Sequence, residues 1–293
     1  MRCCVRRILY LAFGRIGEWG WNGPFRDLFG FKLFERLAWM GILWAIGICG
    51  TWAISLIGFL RVNVGFQDLH HFLFEMVLMV LFRTFLHTGL FVVAHDAIHG
   101  SLCPSRPSLN AGIGHLMLGL YAFLPYDRSY TNHWMHHYYP AQVCDPDFHD
   151  GLNPHPVLWY LNFMAEYLPF TQLLVFVSGW TGLLFVMVQV CGVHWENIAL
   201  FWVLPLILSS IQLFFFGTYL PHRGPHPTLT HPDRQLHRAH TSNYPIIVSF
   251  LTCYHFGYHW EHHEYPRVPW YQLPAVHFNK RRNLVIDHVN ASK

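Results

Sequence analysis

The sequence predicts an all-α integral membrane protein: four transmembrane helices carrying a cytosolic helical cap, with a histidine-rich metal site in the cap. Three observations predict it. Of 293 residues, 53% are hydrophobic and only 12% are charged, against about 25% charged in a soluble domain. The run Leu37–Leu60 carries no charge over 24 residues, and as a helix it would be about 36 Å long, enough for a hydrocarbon core of about 30 Å. Finally, 23 histidines stand in a chain that otherwise avoids polarity, and many of them fall at helical spacing.

Residues 1–36 read as an N-terminal cytosolic or interfacial segment. Arg2, Arg6 and Arg7 precede a short apolar run, Ile8–Phe13, but Gly14 and Arg15 interrupt it and no small-residue cleavage site follows. No secretory signal is therefore expected. Leu37–Leu60 is the first span, and Phe72–Ala94 the second. Asn110–Leu124 is apolar but too short to cross, so an interfacial or re-entrant helix is expected. Val157–Leu168 reads as an interfacial helix leading into the third span, Pro169–Val190. The fourth span is Ile198–Leu220, with Pro205 inside it. Residues 37–220 thus hold the spans and a long cytosolic loop, residues 221–293 form a cytosolic C-terminal part, and 1–293 is expected to be a single domain.

Charge sets the expected orientation. With four spans, the N-terminal segment, the loop 95–168 and the tail from Pro221 share one side. Of the 19 Lys and Arg, Arg61 falls in a short loop on the other side and Arg83 inside the second span; all the rest lie on the shared side. By the positive-inside rule that side is cytosolic. Arg83 itself would cost about 2.5–3.5 kcal/mol at the bilayer centre. It is expected to face the bundle interior near Glu75 or His87, in a packing role.

The same composition narrows the function classes. A net charge of +3 offers no case for nucleic-acid binding. The seven cysteines are odd in number and contain no C-x-x-C pair, which argues against a disulfide framework or a thiolate zinc site.

Three histidine clusters carry the chemistry. They are His95-Asp-Ala-Ile-His99 at the end of the second span, His133-Trp-Met-His136-His137 in the long loop, and His259-Trp-Glu-His262-His263 in the tail. Spacings of i, i+3 and i+4 put ring nitrogens on one helix face about a turn apart. Spans two and four both end on the cytosolic side, so all three clusters lie there and can meet. Had 110–124 crossed the bilayer, the first two clusters would face opposite compartments. Eight imidazoles are too many for one ion, since a zinc site takes three or four ligands, so two metals are the natural count. Nitrogen ligands suit Fe, Cu, Ni or Zn; a histidine-bound pair of irons with open positions fits the activation of O₂. Asp96 and Glu261 project away from the adjoining histidines and are expected to fix the tautomer of another imidazole. Asp145 and Asp147, in Cys-Asp-Pro-Asp-Phe, are similar candidates, with a Pro146 turn as the plain alternative.

The triple pattern resembles the membrane di-iron family of fatty-acid desaturases, alkane hydroxylases and carotenoid oxygenases. Longer stretches narrow the resemblance: Phe91–Leu102, the Phe-Gly-Thr-Tyr-Leu-Pro-His-Arg run at 216–223, Asp-Pro-Asp-Phe at 145–148, and His255–Pro266 look like the bacterial and cyanobacterial β-carotene 4-ketolases. Ile98 stands where that family often has Met. The resemblance runs from about Phe82 to Leu273. It implies a ninth ligand just after the last span, which falls on His222, with His240 and His255 as further candidates for ligand or supporting residue. His226, His231 and His237 look like solvated loop residues among prolines.

Two Fe²⁺ ions and O₂ as co-substrate are implied. The reaction implied is oxidation of the C4 methylene of the β-ring of β-carotene, and of zeaxanthin where accepted, by two hydroxylations and loss of water. The products would be echinenone and canthaxanthin, or astaxanthin. No strand–Gly-rich turn–helix fingerprint for a nucleotide is present, so electrons are expected from a separate, ferredoxin-type donor, in a bacterial plasma or photosynthetic membrane. Fatty-acid desaturation and β-ring 3-hydroxylation are the rival reactions on the same scaffold. A metal transporter or haem carrier is the rival from another class, but it would place its ligands within the spans.

Overall fold

A computed structural model of the chain describes residues 24–62, 69–142, 144–149, 154–224 and 238–279. The expectations for 1–23 and for His226, His231 and His237 lie outside them. The described residues form α1 (Pro24–Phe59), α2 (Leu69–Ile98), α3 (Pro107–Ala122), α4 (Tyr126–Tyr138), α5 (Pro156–Tyr167), α6 (Phe170–Val190), α7 (Trp195–His222), α8 (Ile246–Cys253) and α9 (His259–Glu264). A 3-10 turn at Trp270–Gln272 follows, then helical residues 273–279. No strand occurs among the described residues.

Four helices are long and apolar enough to cross a membrane: Trp39–Phe59, Leu73–Ile98, Phe170–Val190 and Trp195–His222. They coincide with the four expected spans, and the chain is a membrane protein. Two boundaries differ by more than three residues. Helix α1 begins at Pro24, well before the apolar run. Helix α2 continues past Ala94 to Ile98, so the first histidine cluster rides on the helix itself. Helix α6 turns its apolar side chains outward, with Leu174, Val177 and Phe185 all more than half exposed, as lipid contact requires. Helix α3, at 16 residues, is about 24 Å long and falls short of the hydrocarbon core. It lies along α2, and a Cβ at Gly114 would stand 2.2 Å from the Tyr126 ring and 3.0 Å from Ala97 Cβ. Only glycine permits that approach.

Arg83 ties the bundle together. Pro205 has no N–H, so the Phe201 carbonyl four residues earlier loses its helical partner, and α7 widens into a π segment over Ala199–Val203. Arg83 Nε donates to that carbonyl at 3.0 Å, while Nη1 donates to Trp52 O at 2.6 Å and to Ser55 Oγ at 2.8 Å. The guanidinium also lies over the Trp52 ring. It is fully buried, with His87 close by on the same helix, whereas Glu75 is exposed. Arg83 therefore joins α1, α2 and α7, the packing role expected of it.

Candidate metal centre

Four separate stretches of chain deliver the histidines. The C-terminus of α2 supplies His95 and His99. A Schellman closure ends this helix: Gly100 takes φ +69, Ser101 N–H donates to Asp96 O at 2.9 Å, and Gly100 N–H to Ala97 O at 3.0 Å. Glycine tolerates that left-handed turn, so the chain leaves the helix directly after the second histidine. Helix α4 supplies His133, His136 and His137 from one face. His222 closes α7, and α9 supplies His259, His262 and His263.

These side chains gather into two groups. One ring nitrogen from each of His95, His99, His133 and His262 lies within 4.8 Å of the others, and the same holds for His136, His222, His259 and His263. His137 Nε2 stands 3.1 Å from His133 Nε2 and 3.0 Å from His262 Nε2, which attaches it to the first group. Within the groups, Nε2 atoms approach one another at 2.8 Å (His99 and His133), 2.9 Å (His222 and His259), 3.0 Å (His259 and His263) and 3.1 Å (His136 and His263). Nitrogens bound at right angles to one ion at about 2.0–2.1 Å stand about 2.9 Å apart. An imidazole Nε2 carries either one proton or one lone pair, so a nitrogen facing two others at this range is best satisfied by a shared cation. The donor set fits two nitrogen-ligated metal ions.

Electrostatics favour the neutral rings that metals require. Burial, followed by the repulsion of neighbouring imidazoles, holds His99, His133, His137, His259, His262 and His263 well below the usual histidine range. His136 departs from this. Burial opposes its proton too, yet the Asp145 carboxylate overrides burial and raises it. His136 Nδ1 donates to Asp145 at 3.0 Å, leaving Nε2 to face the group. Asp145 is itself fixed by the N–H groups of Ala141 and Asp147, each at 2.8 Å. On the other group, His222 Nδ1 donates to Arg238 O at 2.7 Å.

The remaining candidates go elsewhere. Asp96 takes the Trp270 backbone N–H at 3.3 Å and stands 3.7 Å from His95 Nδ1, too long for a hydrogen bond. Glu261 accepts from His277 Nδ1 at 2.8 Å and from Thr241 Oγ1. It therefore braces α9 against the C-terminal segment and does not orient an imidazole of either group. His255 lies outside both groups, its Nδ1 3.2 Å from Ser249 Oγ and its ring stacked on Tyr258. His240 is exposed and outside both groups. His277, buried against Glu261, was missed by the sequence reading. It stands alone in the chain, and no spacing signal could have found it.

A cavity of about 280 Å³ reaches the groups from the side of the spans. His95, His133, His136 and His259 form its head, so both groups border it. Its walls are apolar, from Phe91, Phe163, Phe176, Leu206 and Leu213 among others, and Asp147 and Tyr167 add polar atoms. Burial pushes the Asp147 carboxyl up to about 7.

Comparison with known proteins accords with this geometry. A family model described as fatty acid desaturase matches residues 69–177 and 158–288. The chain is 36% identical to a "Beta-carotene 4-ketolase 3" of Haematococcus lacustris, over 84% of this chain and 81% of that protein. It is 44% identical to a "Beta-carotene ketolase" of Paracoccus sp., over 66% of this chain and 75% of that one. A "Zeaxanthin 4-ketolase" of Chlamydomonas reinhardtii is 37% identical over 79% of this chain and half of its own length. No solved structure matches the chain significantly. A helical membrane fold, boxed histidines gathered in two groups, and a family model that spans both make one statement together: the chain belongs to the fatty acid desaturase family.

Proposed function

We propose that the protein is a carotenoid 4-ketolase that oxidises the C4 methylene of a β-ionone ring to a ketone, with β-carotene as substrate and hydroxylated rings as in zeaxanthin as a second class. The observation that carries this reading is the apolar cavity whose head is formed by imidazoles of both groups. It suits an apolar substrate end brought to a pair of metals, and the ketolase names of the relatives supply the substrate class.

His95, His99, His133, His137 and His262 hold one ion in this reading, and His136, His222, His259 and His263 the other. Two iron ions so held supply O₂ activation. Each of two hydroxylations consumes one O₂, two electrons and two protons and releases one water; the resulting geminal diol loses water to give the ketone. The protein's own part is positioning and exclusion. Asp145 fixes the His136 tautomer, Arg238 O fixes that of His222, and the aromatic walls keep water from the reacting carbon. The cavity is small beside whole-ligand pockets of about 300–1,000 Å³, so it takes one end of a rod-shaped molecule while the polyene stays in the bilayer. Ile207 on the cavity wall is about half exposed on the outer face of α7, which supports entry from the lipid. Electrons come from a ferredoxin-type protein. The whole of 1–293 acts as one membrane-embedded unit in a bacterial plasma or photosynthetic membrane, with the histidine site and both termini cytosolic.

The test is expression in a bacterium that accumulates β-carotene, read by pigment chromatography with absorption spectra. Ketolated products absorb to the red with smeared fine structure, and His136→Ala abolishes them. Products that are more polar but spectrally unchanged would instead mark a 3-hydroxylase. Unchanged β-carotene, with protein in the membrane and a donor supplied, would end the carotenoid reading.

A further inference from the structure

A buried acid in an apolar cavity is costly unless something polar meets it. Asp147 is such an acid. It follows Pro146, and the turn sends the two carboxylates of Asp-Pro-Asp to different places. Asp145 closes on His136, with the Asp147 N–H donated back to Asp145 Oδ1. Asp147 joins the cavity wall instead, alongside His136 and His259. It is 5% exposed and belongs to neither group of candidate metal ligands.

The carboxyl is also held in place. Tyr167 on α5 donates its hydroxyl to Asp147 Oδ1 at 2.9 Å, and Trp159 Nε1 donates to the Asp147 carbonyl at 2.8 Å. Tyr167 lines the same cavity and is itself buried. A rigid hydrogen-bonding pair therefore stands beside the histidines, where the substrate's wholly apolar ring has no use for it.

The first oxidation product does have a use for it. Once one C4–H bond has become C4–OH, a hydroxyl sits in a mainly apolar cavity, whose other hydroxyl-bearing side chains include Tyr121, Thr218 and the Tyr160 and Ser210 pair, bonded to each other at 2.7 Å. Unpaired, that hydroxyl favours departure; paired, it stays, and the same carbon keeps its second hydrogen facing the metals. We propose that Asp147, anchored by Tyr167, is a specificity-determining residue that binds the hydroxyl of the once-oxidised ring and holds it for the second oxidation. This deepens the ketolase reading and rests on it. Asp147 transfers no electrons in the process. It forms one hydrogen bond, which a hydroxyl can make as donor to the carboxylate or as acceptor from the carboxyl, and the bond is released when the geminal diol loses water.

The experiment uses the full-length protein in membranes of a β-carotene-accumulating bacterium and measures the ratio of 4-hydroxy to 4-keto product, with iron per protein measured on the purified chain. Asp147→Leu removes the partner, and the ratio is expected to rise by about tenfold, the value of one hydrogen bond to a charged group, with iron content retained. Asp147→Asn keeps a hydrogen-bonding side chain and is expected to restore ketone formation in part. Should Asp147→Leu fail to fold, Tyr167→Phe, which frees the carboxyl from its anchor, is expected to shift the ratio the same way by a smaller factor. A fall in total oxidation with the ratio unchanged in every folded variant overturns the proposal and leaves the ketolase reading standing. Wild-type protein that yields only 3-hydroxylated pigment, or none, removes the ketolase reading and this proposal with it.

Discussion

Asp145 shows how much one carboxylate determines. Its two oxygens receive His136 Nδ1 and two backbone N–H groups, so the imidazole has one tautomer and one orientation. Supporting carboxylates of this kind are worth about 10–100-fold in metal affinity. Asp145→Asn is accordingly expected to lose iron about tenfold more readily against a competing chelator, with little change in the amount of protein in the membrane; undiminished iron retention would show that His136 is oriented without it. The sequence marked Asp96 and Glu261 for such work, with Asp145 and Asp147 as similar candidates beside a plain turn at Pro146. They are not equal because orientation depends on what each side chain meets. Asp96 meets the Trp270 backbone and Glu261 meets His277, partners far away in the chain that no local spacing announces.

Among the elements, α7 is the clearest case of a defect turned to use. Pro205 leaves the Phe201 carbonyl without its N–H, and Arg83 from α2 fills the place while also bonding to α1. Arg83→Met should keep the volume but leave Phe201 O and Ser55 Oγ without that donor in an apolar core. We expect a loss of about 1–3 kcal/mol, seen as a lower melting temperature in detergent with the pigment products unchanged in kind. A variant as stable as wild type would mean that α7 relaxes enough to satisfy itself. The spans were legible because hydropathy and length decide them. The extension of α2 to Ile98 was legible only in part, since its end depends on the Gly100 turn. Arg83 was read correctly as a packing residue near His87, but its carbonyl partners were beyond reach because they belong to other helices.

At the scale of the whole molecule, the two histidine groups make folding, metal and pH one problem. The imidazoles of His99, His133, His137, His259, His262 and His263 are held below the ordinary histidine range. The unfolded chain, titrating near 6.5, therefore takes up protons first as pH falls. Their stability is present above about pH 6.5 and is lost below it. His136 and Asp147 are raised and act in the opposite sense, but they are outnumbered. Protein stripped of metal by a chelator is expected to melt lower at pH 5.5 than at pH 7.5, by on the order of 2–4 °C per pH unit for each histidine forced to charge. Restoring Fe²⁺ at pH 7.5 should raise the melting temperature with the logarithm of ligand excess. A melting temperature independent of both pH and iron would contradict the coupling of the two groups to the fold.

The sequence by itself determined the membrane class, the four spans and the three boxed clusters, because hydrophobic length and helical period are local properties that each segment carries alone; His222 was marked only by the family resemblance. Only the tertiary structure decided the rest. It divided nine histidines into two groups, excluded His240 and His255 from both, chose Asp145 as the partner of His136, and turned Asp147 toward the cavity. The physical reason is that a metal site is a convergence of side chains from α2, α4, α7 and α9. The direction in which each side chain points is fixed by packing between those elements, which no single segment encodes.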